Sequence, residues 1–239
     1  MGRSKCWAVL PAGGSSNRFS DTHKDKLLET LDGVPVLLRT VKSLMAAQGV
    51  DAVVVAASVS QLPVYRQLFE DAKLPKPYEL VEGGATRRES VYNALKTLPL
   101  EASLVAVHDA ARPLIAPELV DSAISFLEKD SALGVMVALP VHDTVKRVDH
   151  TGTVLETLDR SVLWRAQTPQ VFWTEILLKA HRKASPEAPV TDDVQLLELC
   201  GLSPVKIIQG SAENIKITLP CDLEMAESLL ASRKNTAQL

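Results

Sequence analysis

The feature that most constrains the fold is a repeated alternation between short apolar runs, rich in β-branched residues, and longer amphipathic stretches. Strands that alternate with helices of about ten or more residues are typical of an α/β domain, with a largely parallel sheet covered by helices on both faces. The predicted strands are Trp7–Leu10, Ala52–Ala57, Tyr78–Val81, Leu104–Val107, Gly134–Leu139, Val205–Ile208 and Ile215–Thr218. The predicted helices are Val36–Ala47, Gln61–Asp71, Thr86–Leu98, Glu118–Glu128, Thr174–Lys183, Asp193–Leu199 and Asp222–Ser232.

One segment, Val141–Leu163, interrupts this alternation. It contains two short β-type runs, Thr144–Val148 and Thr153–Leu158, on either side of a turn-prone stretch at 149–152. The pattern predicts a β-hairpin arm that projects from the sheet. Because an isolated hairpin is marginally stable in water, we expect this arm to dock on a second copy of the chain. We therefore predict one domain over residues 1–239 that forms a homodimer through the arm.

Composition excludes several classes of protein. The 239 residues are 46% hydrophobic and carry a net charge of −3, which allows a full core and provides no overall basic field for nucleic acid. The three cysteines, Cys6, Cys200 and Cys221, lack the spacing of a disulfide framework or a zinc site. The first apolar run is too short for a signal sequence or a membrane span. We expect a cytoplasmic protein that binds neither membranes nor nucleic acid.

The first predicted strand is followed by a loop of very small residues and then by two cations, Arg18 and Lys26. Ala12, Gly13 and Gly14 allow a ligand to approach the backbone closely, and the N–H groups of such a loop can line an anion site. The spacing differs from that of dinucleotide-binding and Walker A loops. We interpret the segment as a polyphosphate cradle, and the alternative is an ordinary strand-to-helix turn beside surface cations.

Two further loops follow predicted strands, at the edge of the sheet where parallel α/β folds bind their ligands. Gly84 and Ala85 precede a predicted helix that begins at Thr86 and carries Ser90 in about its first turn, and such a helix start can hold a phosphate or a base. Asp109 and Arg112 follow the fourth strand and can position hydroxyl groups and phosphate. The alternatives are a capped helix with exposed arginines and a structural Asp–Arg pair.

Four other polar residues have two interpretations each. Thr144 and Arg160 lie on the two sides of the predicted arm, where polar residues also serve solubility. Lys216 lies between two isoleucines of the last predicted strand, so it faces either a cleft or solvent. We expect His108 to be structural rather than catalytic.

Two polar segments come later in the chain. Leu163–Phe172 is predicted to be a polar loop in which Gln167, Thr168 and Gln170 supply neutral hydrogen-bonding groups. Residues 191–193 predict a helix N-cap with an acidic first turn, which also leaves room for a substrate contact.

Taken in order, these motifs resemble those of the 2-C-methyl-D-erythritol 4-phosphate cytidylyltransferase family of non-mevalonate isoprenoid biosynthesis. The resemblance covers nearly the whole chain, from Trp7 to Leu230. It rests on Pro-Ala-Gly-Gly with Arg18 and Lys26, Gly-Gly-Ala-x-Arg-x-x-Ser90, Val-His-Asp-Ala-Ala-Arg-Pro113, Asp-Thr-Val-Lys-Arg147, Ala-Gln-Thr-Pro-Gln170, Thr-Asp-Asp193 and Asn-Ile-Lys-Ile-Thr218. The family implies a Rossmann-like fold, a homodimer joined by the arm, and Mg²⁺ bound mainly through the phosphates of CTP. It also implies cytidylyl transfer from CTP to methylerythritol phosphate, with release of pyrophosphate.

The resemblance further implies roles for individual residues. The nucleotide-binding positions match Ala12, Gly13, Gly14, Gly84, Ala85, Ser90 and Ala110. The positions that stabilise the transition state match Arg18 and Lys26, and Arg160 and Lys216 complete the predicted catalytic set. The positions that hold methylerythritol phosphate match Asp109, Arg112, Thr144, Arg160 and Lys216. The sequence departs from residues common in the family at Gly13, Ser16, Asn17 and Ala85, which affects the loop shape and the cytosine contacts.

Two alternatives stay open from the residues themselves. The acceptor is either methylerythritol phosphate or another polyol phosphate such as ribitol 5-phosphate, because cations do not distinguish small polyol phosphates. The chain is either an enzyme or a non-catalytic nucleotide-binding relative. A reaction between two polyanions needs charge neutralisation and alignment rather than a general base. The combination of Arg18, Lys26, Arg160 and Lys216 favours the enzyme.

Overall fold

The computed structural model describes residues 3–13, 25–185 and 187–236. The strands are β1 (Cys6–Pro11), β2 (Thr30–Leu31), β3 (Val34–Pro35), β4 (Val50–Ala57), β5 (Tyr78–Glu82), β6 (Leu104–Val107), β7 (Gly134–Pro140), β8 (Lys146–Val148), β9 (Val154–Thr157), β10 (Trp164–Trp173) and β11 (Val205–Gln209). The helices are α1 (Val36–Ala46), α2 (Leu62–Ala72), α3 (Arg87–Leu95), α4 (Pro117–Lys129), α5 (Thr174–Lys183), α6 (Asp193–Leu199) and α7 (Pro220–Thr236), with a short 3₁₀ helix at Arg160–Val162.

Seven of these strands form one sheet in the order β11-β7-β10-β6-β1-β4-β5. Neighbouring strands are parallel except at β10, which runs antiparallel to both β6 and β7. The predicted largely parallel, Rossmann-like sheet is therefore confirmed. Because β1, β4, β5 and β6 are parallel neighbours, the loops that follow them meet at one edge of the sheet.

The sheet separates two hydrophobic cores, and side chains along β1 alternate between them. Ala8 and Leu10 pack in the core that contains residues of α1, α2, α4 and α7, whereas Val9 packs with residues of α3, α5 and α6. Successive side chains of a strand point to opposite faces, so an almost continuous apolar strand is what a sheet covered on both sides requires. The prediction of helices on both faces is confirmed.

The predicted polar loop Leu163–Phe172 is wrong, because this segment forms β10 in the middle of the sheet. Its amide and hydroxyl side chains are buried but have hydrogen-bond partners on other elements. The pairing with β7 is irregular between Ala166 and Gln170. The strand was not predicted because its composition is polar. Its buried polar groups form hydrogen bonds with residues far away in the sequence, as buried polar groups generally must.

The predicted strand Ile215–Thr218 is also wrong, since the segment has no regular secondary structure. Ile217 is fully buried and its N–H donates to the carbonyl of Ala111 at 2.8 Å. The alternation of apolar residues does bury Ile217, but the segment packs against the loop after β6 and is not part of a sheet.

The arm forms the predicted hairpin, with β8 and β9 paired antiparallel in a sheet of their own. All side chains of β8 and β9 are exposed. At the base of the arm the N–H of Val141 donates to the carbonyl of Leu163 at 3.0 Å. The hairpin therefore lies outside the cores of the domain. Among the described residues, no helix has the length and apolar character that crossing a membrane would need.

Candidate active site

A cleft of about 420 Å³ opens where the loops after β1, β5 and β6 meet. Eight of the residues singled out from the sequence line it: Ala12, Gly13, Lys26, Ala85, Ser90, Asp109, Ala110 and Lys216. Gly84 adjoins Ala85, while Gly14 and Arg18 lie outside the described residues. The convergence expected from the parallel sheet thus brings together residues that are far apart in sequence.

The turn between β5 and α3 needs a glycine at Gly84. A Cβ atom added there would lie 2.1 Å from the Cβ of Glu89, a distance that no side chain tolerates. Thr86 caps α3 by accepting from the N–H of Glu89 at 3.1 Å, and Ser90 Oγ accepts from the N–H of Gly84 at 3.1 Å. The N–H of Ala85 donates to Glu89 Oε2 at 2.7 Å. The two backbone donors of this turn are therefore bonded within the chain, and a base that uses them must displace Ser90 or Glu89.

Asp109 is the centre of the charged part of the cleft. It is 8% exposed, and its Oδ2 lies 3.0 Å from Lys216 Nζ and 3.2 Å from Arg112 Nε. Its Oδ1 lies 3.6 Å from Arg87 Nε. Burial acts to raise the pKa of the Asp109 carboxyl, but the three neighbouring cations outweigh burial and hold its pKa below the ordinary range. Asp109 is therefore ionised in the folded protein, and the structural Asp–Arg pair is part of a larger cluster.

Lys26 contacts the irregular segment that contains Lys216. Lys26 Nζ donates to the carbonyl of Ile217 at 2.9 Å. Burial of Ile217 fixes that segment, and Lys216 lines the cleft. Of the two interpretations of Lys216 from the sequence, the one that faces it toward a cleft is therefore correct. Two ammonium groups thus line the same cleft.

His108 has the structural role expected of it. Its Nδ1 is 3.0 Å from Thr168 Oγ1 and its Nε2 is 3.2 Å from the carbonyl of Arg112. Because a carbonyl can only accept, Nε2 carries the hydrogen and Nδ1 accepts from the hydroxyl, which itself accepts from the N–H of Asp109 at 3.0 Å. Burial lowers the pKa of His108 to about 4, so the ring is neutral and holds the Asp109–Arg112 turn in place.

A smaller side pocket of about 190 Å³ adjoins the cleft. Its lining includes Arg112 and polar residues of β10 and the start of α6, namely Gln167, Thr168, Gln170, Thr191 and Asp192. Arg87, Asp109 and Lys216 line both the cleft and the side pocket. These three residues therefore form the wall between two adjoining spaces, an arrangement that suits two ligands meeting at one point.

The predicted N-cap at 191–193 is confirmed, and it is held by a residue of β10. Asp192 Oδ1 accepts from the N–H of Gln195 at 2.8 Å. Gln170 Oε1 accepts from the N–H groups of Asp193 and Val194 at 3.1 and 3.3 Å, and its Nε2 donates to Asp192 Oδ2 at 2.9 Å. The strand that the sequence concealed therefore positions the start of α6 beside the side pocket.

Sequence reasoning missed Arg87, which it regarded as an exposed arginine beside a capped helix. Its Nη2 lies 2.7 Å from Asp193 Oδ2 and its side chain is 27% exposed. A usable signal was present, because Arg87 and Ser90 are three residues apart and so share one face of α3.

Thr144 and Arg160 lie away from the cleft of their own chain. Both are exposed, and neither lines the cleft or the side pocket of the described residues. Arg160 donates to the carbonyl of His142 near the base of the arm. Their predicted contact with substrate therefore stays a prediction, since both residues lie outside the two cavities formed by the described residues of one chain.

Comparisons with known proteins agree with this geometry. Residues 6–232 match the family model described as 2-C-methyl-D-erythritol 4-phosphate cytidylyltransferase. A protein of that name from Synechocystis is 40% identical over 226 residues, covering 94% of this chain and 96% of the relative. One from Dictyoglomus thermophilum is 40% identical over 229 residues, covering 95% and 97%.

Solved structures show the same likeness. The crystal structure of 4-diphosphocytidyl-2C-methyl-D-erythritol synthase from Anaerococcus prevotii superposes with a TM-score of 0.84 at 29% identity, covering 95% of this chain and 96% of that one. A second crystal structure of a synthase of that name gives a TM-score of 0.77 at 31% identity, covering 96% and 100%. The family model, the identities and the length of the match agree, and the chain belongs to the 2-C-methyl-D-erythritol 4-phosphate cytidylyltransferase family of nucleotidyltransferases.

Proposed function

We propose that the cleft transfers a cytidylyl group from CTP to 2-C-methyl-D-erythritol 4-phosphate in non-mevalonate isoprenoid biosynthesis, with release of pyrophosphate. The observation that carries this proposal is the cluster of cations around the cleft wall. Lys26, Arg87, Arg112 and Lys216 all lie at or beside the cleft; Arg87, Arg112 and Lys216 contact Asp109, and Arg87 also pairs with Asp193. Such an excess of positive charge suits the meeting of two phosphate-bearing substrates.

The two adjoining spaces suggest where each substrate binds. We place CTP in the main cleft, on the small residues Ala12, Gly13, Ala85, Ser90 and Ala110 that line it. The roles of Gly84, which adjoins Ala85, and of Gly14 in binding CTP are proposed from the family motif. We place methylerythritol phosphate in the side pocket, where Asp109 orients its hydroxyl groups and Arg112 and Lys216 hold its phosphate. The wall shared by the two spaces then becomes the point at which the acceptor phosphate meets the α-phosphate of CTP.

The reaction needs alignment and charge neutralisation rather than a proton acceptor. A phosphate oxygen of the acceptor attacks the α-phosphorus of CTP, and pyrophosphate leaves in line. The nucleophile is already anionic, and His108 is buried with both ring nitrogens hydrogen-bonded, so it is unsuited to act as a base. Lys26 and Arg18 would stabilise charge on the α-phosphate and the leaving pyrophosphate, while Lys216 and Arg160 would hold the nucleophile.

We propose that Mg²⁺ enters with CTP as part of the substrate. Its ligands would be mainly phosphate oxygens and water, as is usual for this ion with nucleotides. The described residues contain no group of three side chains suited to hold a metal, and both oxygens of Asp109 face cations. The donor set therefore fits a metal carried by the triphosphate, whose charge it would partly neutralise, better than a dedicated protein site.

We propose a homodimer joined by the arm of residues 141–163. Five large apolar side chains in or beside the arm are exposed: Val148, Val154, Leu155, Val162 and Trp164. Large apolar side chains left exposed in this number on one projecting element favour an interface. Docking on a twofold partner would bury these side chains and bring Thr144 and Arg160 to the partner's cleft. All three cysteines are free, and we propose the cytoplasm as the location of the enzyme.

The proposal is tested by measuring pyrophosphate release for a grid of nucleotides and acceptors. CTP, UTP and ATP are each combined with methylerythritol phosphate, with ribitol 5-phosphate and with no acceptor. We expect release to require an acceptor and to be fastest with CTP and methylerythritol phosphate. Faster turnover of ribitol 5-phosphate would identify a different acceptor, equal rates with ATP and CTP would exclude a cytosine-reading pocket, and no release at all would indicate a non-catalytic relative.

A further inference from the structure

Two adjacent arginines at the start of α3 have very different surroundings. Arg88 donates to the carbonyl of Ser185 at 2.6 Å and to that of Ala184 at 3.0 Å, just beyond the end of α5. Arg87 points instead into the wall between the cleft and the side pocket. There its guanidinium spans two carboxylates, with Nη2 at 2.7 Å from Asp193 Oδ2 and Nε at 3.6 Å from Asp109 Oδ1. The two ion pairs join α3, α6 and the loop after β6.

The Asp193 end of this bridge is a rigid anchor. Asp193 is 1% exposed and lines neither the cleft nor the side pocket. Its N–H donates to Gln170 Oε1, which fixes the first turn of α6 to the central strand β10. A buried carboxylate needs a counterion, and Arg87 supplies a short hydrogen-bonded one. Any effect of Asp193 on the reaction must therefore pass through the residues it holds.

The Asp109 end of the bridge is the part that faces the substrate. Lys216 and Arg112 both contact Oδ2 of Asp109, so they pull the carboxylate from one side. Arg87 lies against Oδ1 on the other side. Cations against both oxygens fix the rotation of a carboxylate, and through it the position of the ammonium group of Lys216. Without the Arg87 contact, the cations that hold Asp109 would be Arg112 and Lys216, both on Oδ2.

We propose that Arg87 is a positioning residue for the acceptor half of the site: anchored on Asp193, it holds Asp109 and Lys216 in the arrangement that binds the polyol phosphate. This inference rests on the proposed function, since it assigns the acceptor to Asp109 and Lys216. Arg87 acts through these residues, so its loss weakens acceptor binding while nucleotide binding is retained.

The test is the Asp193→Asn variant, which removes the charge of the anchor, keeps its shape and touches neither cavity. We expect the KM for methylerythritol phosphate to rise about tenfold, as for loss of a charge-assisted hydrogen bond. The Kd for CTP, measured by calorimetry without acceptor, stays within about threefold of wild type. Arg87→Lys keeps the charge but loses the planar fork that reaches both carboxylates, and it should give the same pattern. Arg88→Lys is the matched control and should leave both constants unchanged.

Three results would overturn the inference. An unchanged acceptor KM in both Asp193→Asn and Arg87→Lys would mean that the bridge does not position the acceptor. A parallel loss of CTP affinity would mean that Arg87 holds the nucleotide loop instead. The same rise in KM in Arg88→Lys would indicate a general disturbance of α3. If the wild-type enzyme released no pyrophosphate from CTP and methylerythritol phosphate, the proposed function would fail first, and the variants would not be needed to show it.

Discussion

The cleft and the arm carry similar polar residues in opposite settings. In the cleft, Asp109 is buried among three cations, and each of those cations is held by the packing of a different element. In the arm, the ion pair between Arg147 and Glu156 is exposed on both sides, and the neighbouring apolar side chains face solvent. The charged wall of the cleft is therefore positioned by contacts within one chain, whereas the arm leaves its charged and apolar side chains exposed.

This difference separates the predicted site residues into two groups, those of the cleft and those of the arm. Charges in the cleft are positioned by burial, so they can stabilise a transition state without reorganising. Exposed ion pairs such as that of the arm contribute little to stability. Arg160 can serve catalysis only if a second chain supplies the surface that fixes it.

The largest predicted effect is a fall in kcat when Lys26 in the cleft is replaced. Lys26→Met removes an ammonium group beside the proposed phosphate site, and we expect kcat to fall by about 10²–10³, as for loss of one transition-state donor. The fold should persist, because the side chain lines a cleft rather than a core. Steady-state pyrophosphate release together with thermal unfolding measures both expectations.

Lys129→Met is the matched control, since Lys129 is exposed at the end of α4 and lines neither the cleft nor the side pocket. It should keep wild-type turnover. Near-normal turnover in Lys26→Met would remove the cleft from the chemistry.

A smaller effect is expected in the arm, at Leu155. Leu155→Asp places a charge on the exposed apolar face, and we expect the dimer to dissociate at micromolar concentration because burial of a carboxylate at an interface is costly. Sedimentation velocity measures the change in mass. Leu100→Asp, at a fully exposed leucine outside the arm, should leave the dimer intact. A Leu155→Asp protein that stays dimeric would place the interface elsewhere.

The sequence predicted the loops of the cleft better than the elements that support them. Small residues after β1 and β5, and Asp109 after β6, are informative because close ligand approach and strand-end geometry restrict which residues fit there. The sequence pattern left Lys216 facing either a cleft or solvent; it lines the cleft although its segment is not a strand, because Ile217 is buried and Asp109 pairs with Lys216.

The rest depended on contacts between distant residues. Strand β10 was missed because Gln167, Thr168 and Gln170 look polar in the sequence, and their partners are far from them in the chain. Arg87 and Arg88 are adjacent and chemically identical, and the spacing of Arg87 from Ser90 was the signal that could have distinguished them. In the structure Arg87 lies in the wall and Arg88 binds carbonyls just beyond α5.

The smallest predicted effect is a loss of stability in acid, caused by a histidine buried between α3 and α5. His181 of α5 stacks on Tyr92 of α3 at 5.2 Å, and neither ring nitrogen has a hydrogen-bond partner among the described residues. Burial, with Arg88 and Arg87 nearby, lowers the pKa of His181 from its usual 6.5 to about 4. Between these two pKa values the unfolded chain binds a proton that the folded chain excludes. The free energy of unfolding therefore falls as the pH drops from 6.5 to about 4.

We expect His181→Phe to remove part of that loss, because phenylalanine keeps the stacking and does not titrate. At pH 5 the variant should exceed wild type in free energy of unfolding by about 1–2 kcal/mol, measured by urea denaturation. At pH 8 the two should be nearly equal, which serves as the control. An equal gain at both pH values would attribute the change to packing rather than to protonation.

The central claim is that the cleft of one chain and the arm of another form one active site, and subunit mixing tests it most directly. Lys26→Ala and Arg160→Ala chains, each inactive alone, are mixed in equal amounts under conditions in which subunit exchange is demonstrated by native mass spectrometry. If sites are shared, each mixed dimer has one site with both lesions and one intact site, and activity should return to about a quarter of wild type. A mixture that exchanges subunits and stays inactive would contradict the account, because Arg160 would then serve its own chain or none.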